Sequence, residues 1–275
     1  MTRCPYKRSG FGKWIQVFSL CTYTKVIVQL REHRDESLEV NFRTFYRWQY
    51  RKQSLGYAEG INLRKVLIAG EADKTVNYES AMKKLGVLGE TSLHVPDISF
   101  YDGLILPGGG DIDPKLFGQL PCGTGFFDPV LDRLQLAILK AFVISHKPVL
   151  GICKGMQLIN IYFGGDMLQH LKTSKNHAYV QKDQVHMSVA KKRSYLDRLY
   201  GERFAVNSAH HQGVDSPGKG IEYVQFAEDG VTEGLRHRFL PIWGVQWHPE
   251  RMCFAQCRED AVDGSLLLSF FLKTN

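Results

Sequence analysis

Residues 148–165 constrain the fold more than any other stretch of the chain. The short apolar run at 149–152 predicts a buried strand, and residues 156–163 have the spacing of a helix that ends at two glycines. Cys153 lies between them, with Gly151 and Gly155 two residues to each side. A sharp strand-to-helix turn crowds the backbone, so it requires residues without bulky side chains and can hold the cysteine in a strained conformation.

This pattern predicts that Cys153 is a nucleophile displayed at the edge of a sheet. The start of the following helix offers unpaired N–H groups and the positive end of a dipole, which favour a thiolate over a thiol. The alternative is a buried cysteine in an ordinary strand-turn-helix. The turn alone does not decide between the two.

Strands and helices alternate on both sides of this turn. Predicted strands at 65–69, 102–106 and 149–152 are separated by predicted helices at 77–85 and 129–145. Alternation of this kind predicts an α/β fold with a mostly parallel sheet and helices on both faces. The second half adds a small β-rich part, with strands predicted at 184–190, 203–206, 221–227 and 239–245.

The positive charge is concentrated at the start of the chain. Residues 1–60 contain 11 lysines and arginines against 5 acidic residues, and they account for +6 of the formal charge of +7. Residues 42–57 mix basic and aromatic side chains, a combination that can bind single-stranded nucleic acid. No RNA-binding motif is complete, so we expect a basic N-terminal extension at 1–60, with nucleic-acid contact as the alternative. Residues 61–275 are predicted to form one catalytic domain.

The six cysteines are scattered, and neither a secretory signal nor a confident membrane span is evident. We therefore expect free thiols and a cytoplasmic protein without membrane association.

A thiolate nucleophile needs a base and a group that orients the base. His248 precedes a proline, which favours an extended conformation, and residues two apart on an extended chain point the same way. Glu250 should therefore face the same side as His248 and hold its imidazole. A surface His-Pro-Glu turn is the alternative.

A glycine run at 108–110 follows the strand at 102–106, so it should lie near Cys153 at the carboxyl ends of the strands. Backbone N–H groups of Gly109 and of Lys154, the residue after the nucleophile, are predicted to form an oxyanion hole. His210 and His211 should point to opposite sides of an extended chain, one towards substrate and one structural. Spacing leaves either histidine open as a rival base. Because they point to opposite sides, we expect no metal site formed by this pair.

These motifs together resemble the class I glutamine amidotransferase pattern. The segments 151–157 and 244–250 carry the resemblance, and 106–114, 160–165 and 207–212 narrow it to the γ-glutamyl-γ-aminobutyrate hydrolase branch, peptidase family C26. It covers roughly residues 61–275. The resemblance implies a flavodoxin-like sheet, with Cys153 as nucleophile, His248 as base and Glu250 as its orienting partner. It also implies a set of residues at the substrate pocket: Gln157, Asn207, Ser208, His210, His211 and Gln212.

The implied activity is hydrolysis of a small γ-glutamyl amine, such as γ-glutamyl-γ-aminobutyrate in polyamine catabolism, through a thioester that releases glutamate. Such chemistry requires neither a metal nor an organic cofactor, and we expect none. Two alternatives stay open: a glutaminase subunit that delivers ammonia to a synthetase, and a binding protein that uses its basic N-terminal segment. A homodimer is compatible with all three.

Overall fold

The structure is a computed structural model that describes residues 64–94 and 97–274. All of these residues belong to one compact unit that begins at Asn62. The predicted extension at 1–60 lies outside the described residues, so its structure and its contact with nucleic acid stay predictions.

Eleven strands occur in the described part of the chain. They are β1 Lys65–Ile68, β2 Leu88–Thr91, β3 Gly103–Leu106, β4 Val149–Ile152, β5 Met167–Leu168, β6 Gln184–Ala190, β7 Arg203–Ser208, β8 Gly213–Val214, β9 Ile221–Ala227, β10 Thr232–His237 and β11 Ile242–Val245. Nine of them form one sheet in the order β2-β1-β3-β4-β11-β10-β9-β6-β7, and β5 pairs with β8 separately.

The first five strands of this sheet are mutually parallel. β3 and β4 are buried at every position because helices cover both of their faces. Alternate residues of β1 face opposite cores: Val66 and Ile68 belong to one, and Leu67 belongs to the other. This half of the sheet confirms the predicted α/β fold.

Five α-helices pack on the sheet among the described residues: α1 Val76–Lys84, α2 Pro129–Ile144, α3 Lys154–Tyr162, α4 Tyr195–Tyr200 and α5 Ser265–Lys273. Helices α2 and α3 contribute to one core, whereas α1, α4 and α5 contribute to the other. Asp128 begins α2 by accepting the N–H groups of Val130 and Leu131, which have no partner inside the helix. Helices therefore cover both faces, as predicted.

The β-rich second half continues the same sheet. Strands β10, β9, β6 and β7 are joined to β11 and to each other in antiparallel pairs. Strand β10 was absent from the sequence prediction, because its run of Glu233, Gly234 and Arg236 interrupts the apolar character expected of a strand. It is nevertheless central, and it connects the parallel and antiparallel halves. None of the helices within residues 64–94 and 97–274 is long and apolar enough to span a membrane.

Candidate active site

Cys153 occupies the turn between β4 and α3 with φ of 52° and ψ of −108°. A Cβ on Gly155 would lie 2.1 Å from the carbonyl oxygen of Leu106, and one on Gly151 would lie 2.6 Å from the main chain of Gly155. Neither position has room for a side chain, which explains the glycine spacing. The predicted sharp turn and strained cysteine are confirmed, although the helix begins at Lys154, two residues earlier than predicted.

His248 and Glu250 meet just after β11. Nδ1 of His248 lies 2.8 Å from Oε1 of Glu250, and both side chains are almost fully buried. The predicted path of the chain is wrong in one respect, because a 3-10 turn at Pro249–Arg251 replaces the extended conformation beyond His248. The turn still brings the carboxylate to the imidazole, so the expected contact is present by a different route.

Asn207 fixes the main chain of His248. Its Oδ1 accepts the His248 N–H at 2.9 Å, and its Nδ2 donates to the His248 carbonyl at 3.2 Å. The same Nδ2 also donates to Asp183 at 2.9 Å. Asn207 therefore acts on His248 through its backbone, although the sequence placed it among substrate-binding residues.

The glycine loop, Cys153 and His248 converge at the carboxyl ends of β3, β4 and β11. A Cβ on Gly108 would lie 2.7 Å from Cε1 of His248 and 3.5 Å from Cβ of Cys153. The N–H of Gly108 donates to the buried hydroxyl of Tyr78 at 2.9 Å, which anchors the loop. A side chain at Gly108 would displace the imidazole, so the loop and the proposed base depend on each other.

Electrostatics in this site favour a thiolate beside an imidazolium. Burial on its own raises the pKa of Cys153, but the charge of His248 and its hydrogen bond outweigh burial and bring that pKa below its ordinary value. Burial on its own lowers the pKa of His248, but Glu250 and Cys153 raise it to about 10. Burial likewise opposes ionisation of Glu250, yet the imidazolium holds its pKa below the usual range. The three groups thus stabilise one another's charged forms.

The two predicted oxyanion-hole residues are neighbours. A Cβ on Gly109 would lie 3.0 Å from Cδ of Lys154. The N–H of Lys154 is the first of helix α3, so no carbonyl within that helix can accept it. The Lys154 ammonium is itself buried and lies 2.6 Å from a carboxylate oxygen of Asp132 on α2. Sequence analysis missed this ion pair, which anchors the start of the helix at Cys153.

Gln246 is a further site residue that sequence analysis missed. Its Nε2 lies 3.5 Å from Sγ of Cys153, and its Oε1 accepts a hydrogen bond from Gln157 at 3.1 Å. Its position two residues before His248 was the available signal, since both could face the same side of an extended chain. Gln157 thus supports the amide that contacts the sulfur, and its predicted contact with substrate stays a prediction.

Most of the other predicted substrate-binding side chains have protein partners. Ser208 donates to the carbonyl of His177 at 3.0 Å, and Gln212 accepts from the N–H of Ile112 at 3.3 Å. His211 is partly exposed, and its Nε2 lies 2.9 Å from Asp111 at the end of the glycine loop. Direct contact of these residues with substrate stays a prediction.

His210 and His211 point in different directions, as the sequence predicted. His210 is buried, with Nδ1 at 2.9 Å from the carbonyl of Gln212 and Nε2 at 3.4 Å from Glu233. Both nitrogens of His210 face these groups. His248 is therefore the histidine beside Cys153 with a carboxylate partner at short hydrogen-bonding distance.

A family model for peptidase C26 matches residues 87–250, which is more than half of the chain and includes the turn at Cys153 and the His-Pro-Glu segment. The chain belongs to the peptidase C26 family. YvdE of Lactococcus lactis subsp. lactis (strain IL1403), described as a glutamine amidotransferase-like protein, is 37% identical over 161 residues, covering 56% of this chain and 67% of YvdE. The γ-glutamyl-γ-aminobutyrate hydrolase PuuD of Escherichia coli (strain K12) is 29% identical over 179 residues, covering 59% of this chain and 69% of PuuD.

A solved glutamine amidotransferase structure from Thermotoga maritima shares the fold, with a TM-score of 0.52 and 16% identity over 70% of this chain and 77% of that one. The predicted resemblance and the flavodoxin-like fold are thus confirmed. As a member of the peptidase C26 family, the chain is a glutamine amidotransferase-like hydrolase that acts on amide bonds.

Proposed function

We propose that the chain is a cysteine hydrolase that cleaves the γ-glutamyl amide bond of a small γ-glutamyl amine, such as γ-glutamyl-γ-aminobutyrate. The observation that supports this most directly is the position of Cys153 on a strained turn beside the buried His248–Glu250 pair. The lowered pKa of Cys153 and the raised pKa of His248 favour the ionised pair that nucleophilic attack requires.

In the first half of the reaction, the Cys153 thiolate attacks the γ-carbonyl carbon. The N–H groups of Gly109 and Lys154 donate hydrogen bonds to the carbonyl oxygen as negative charge develops on it. Nδ1 of His248 is committed to Glu250, so Nε2 is the nitrogen that delivers a proton to the leaving amine. The amine departs, and the γ-glutamyl group remains on Cys153 as a thioester.

In the second half, the neutral imidazole of His248 takes a proton from water. The resulting hydroxide attacks the thioester carbonyl, and the same two N–H groups hold the second oxyanion. Collapse breaks the carbon–sulfur bond, which releases glutamate and returns the thiolate. Gln246 lies within hydrogen-bonding distance of the sulfur, so its amide stabilises the thiolate as a leaving group.

The name of PuuD gives the best guide to the substrate, since that relative is a γ-glutamyl-γ-aminobutyrate hydrolase. The test is a panel of γ-glutamyl amines that differ only in the amine, with glutamate release as the measurement. The α-glutamyl isomer of each is the matched control. We expect release from γ-linked substrates only, and no release after Cys153→Ala. Undiminished hydrolysis by that variant would contradict the assignment of the nucleophile.

A glutaminase subunit is the second candidate, because relatives such as YvdE and the T. maritima protein are described as glutamine amidotransferase-like or as a glutamine amidotransferase. The same panel separates the two functions when glutamine is included. Hydrolysis of glutamine alone would favour this candidate, particularly if the activity needed a synthetase partner. Turnover of γ-glutamyl amines by the isolated chain would favour the first.

A further inference from the structure

Three histidines surround a buried glutamate in the antiparallel half of the sheet. Nδ1 of His177, Nε2 of His186 and Nε2 of His210 lie 3.5, 3.6 and 3.4 Å from Oε1 of Glu233. The side chain of Glu233 has no exposed area, and those of His177 and His210 are nearly as buried. We call these four residues the histidine cluster. None of them takes part in the chemistry proposed for Cys153.

Hydrogen bonds fix which nitrogen of each ring holds the proton. Nδ1 of His210 lies 2.9 Å from the carbonyl of Gln212, and Nδ1 of His186 lies 3.2 Å from the carbonyl of Met187. Nε2 of His177 lies 3.0 Å from a carboxylate oxygen of Asp229. Carbonyl and carboxylate oxygens only accept, so these three nitrogens donate. A neutral imidazole has one N–H, and its other nitrogen carries a lone pair that can accept a hydrogen bond or bind a metal.

If all three rings are neutral, their lone pairs face Glu233, which is itself an acceptor; Nδ1 of His177 also lies 3.3 Å from the hydroxyl of Ser208. Both carboxylate oxygens of Glu233, as well as Nε2 of His186 and of His210, are buried without a hydrogen-bond partner among the described residues. Converging lone pairs around a buried carboxylate are unfavourable unless a positive charge lies between them. A metal cation among these donor atoms would supply that charge, in place of the proton that, against the effect of burial, Glu233 favours on His210 by raising its pKa.

We propose that the histidine cluster binds a zinc ion through Nδ1 of His177, Nε2 of His186, Nε2 of His210 and a carboxylate oxygen of Glu233. Zinc bonds to nitrogen and oxygen are about 2.0–2.2 Å long, which places neighbouring tetrahedral ligands about 3.3–3.6 Å apart. The distances from Glu233 to the three nitrogens are 3.4 to 3.6 Å. The ligand atoms of His177, His210 and Glu233 all lie within 4.8 Å of one another, whereas Nε2 of His186 lies 3.6 Å from Glu233 but does not belong to that set.

The surroundings suit a borderline-soft transition metal. Imidazole ligands favour zinc and its neighbours over calcium or magnesium, which prefer oxygen. Asp229 orients His177 by accepting from Nε2, the ring nitrogen that would not bind the metal, as carboxylates do for zinc-bound histidines. A surface cavity of about 350 Å³ borders His177, His186 and Asp229, so an ion can reach the cluster from solvent.

With His186 moving in to complete the tetrahedron, zinc would have four protein ligands, which makes this a structural site rather than a catalytic one. It would also support the neighbouring active site. The main-chain oxygen of Glu233 accepts the N–H of Gln246 at 2.9 Å, and the side chain of Gln246 contacts Cys153. The expectation of no metal, made from the sequence, weighed the pair His210 and His211 and the pair Cys253 and Cys257, and did not include the residues at 177, 186 and 233.

The test uses full-length, tag-free protein stripped with a chelator and then titrated with zinc chloride. Zinc per chain is measured by elemental analysis, and affinity by competition with a chromophoric chelator. Cobalt chloride provides a spectroscopic probe, because tetrahedral cobalt absorbs visible light much more strongly than octahedral cobalt. Cys153→Ala is included so that zinc held by the active-site thiolate is not counted.

We expect one zinc per chain in wild type and in Cys153→Ala, with a tetrahedral cobalt spectrum. His186→Ala, at the rim of the cluster, and Glu233→Gln should each weaken zinc binding at least about a hundredfold, since even residues that only orient zinc ligands contribute 10–100-fold. His146→Asn alters an exposed histidine in the turn between α2 and β4 and should leave binding unchanged. Absence of stoichiometric zinc, an octahedral spectrum, or full affinity in His186→Ala would overturn the proposal, whether or not Glu233→Gln folds.

Discussion

Replacing Glu250 by glutamine tests how the buried carboxylate acts on the proposed nucleophile. The variant keeps the shape of the side chain and an oxygen at the position that contacts Nδ1 of His248, but it removes the negative charge. Glu250 is the largest of the influences that raise the pKa of His248. Without it the imidazolium is less stable, and so is the Cys153 thiolate that depends on the imidazolium.

The size of the effect follows from the contact that is lost. A hydrogen bond between charged groups contributes about 1.5–3 kcal/mol. At about 1.4 kcal/mol for each factor of ten, Glu250→Gln should lower kcat/KM by about 10–150-fold near neutral pH. By the same conversion the pKa of Cys153 should rise by about 1–2 units, because its ionised form loses the support of a protonated His248.

Two measurements follow this change. Glutamate release gives kcat/KM, and the rate of alkylation of Cys153 by iodoacetamide across a pH range gives the pKa of the thiol. Glu228→Gln is the matched control, because Glu228 is an exposed glutamate that pairs with Arg203 at the surface. We expect both quantities to stay at wild-type values in the control.

The reasoning would be refuted if Glu250→Gln, folded as judged by urea unfolding, kept both kcat/KM and the alkylation profile of the wild-type protein. A fall in kcat/KM with an unchanged profile would show that Glu250 orients the ring without stabilising its charge.

Three further changes probe the surroundings of the site. Kcat/KM measured against pH should rise as Cys153 ionises, below the ordinary range of a thiol, and should fall near pH 10 as His248 loses the proton it gives to the amine; a profile without an alkaline fall would contradict that role. Asn207→Ala removes two hydrogen bonds to the main chain of His248 and should lower both the free energy of unfolding, by about 2–3 kcal/mol, and kcat/KM; unchanged kinetics would show that the ring is held elsewhere. Lys154→Met leaves the carboxylate of Asp132 buried without its cation, which should lower the free energy of unfolding in urea by about 3–5 kcal/mol. Adding Asp132→Leu should recover part of this loss; equal losses of unfolding free energy in the single and double variants would argue against the pair.

The parts of the site that depend on local chain geometry were predictable from the sequence. The glycines at 151 and 155 are required by contacts within the turn itself and with β3, so their spacing around Cys153 predicted the sharp strand-to-helix turn. His248 and Glu250 are two residues apart, and only the path between them was wrong. The proline that suggested an extended chain also begins the 3-10 turn.

The parts that depend on long-range pairing were not predictable. Lys154 and Asp132 belong to different helices, and neither has a distinctive neighbour in sequence. The position of Gln246 two residues before His248 indicates which way its side chain faces, but its contact with Cys153 depends on the pairing of β11 with β4, which no short motif indicates. The histidine cluster draws its members from residues 177 to 233, and its glutamate lies on β10, one of the strands that the sequence pattern missed.

The most direct test of the account is to identify the residue that carries the acyl group. The protein is mixed with a γ-glutamyl substrate, quenched in acid within one turnover, digested and analysed by mass spectrometry. We predict a γ-glutamyl group on the peptide that contains Cys153 and none on the peptide that contains the exposed Cys122. Release of glutamate at the wild-type rate with no acyl group on Cys153, or with the group on another residue, would contradict the account.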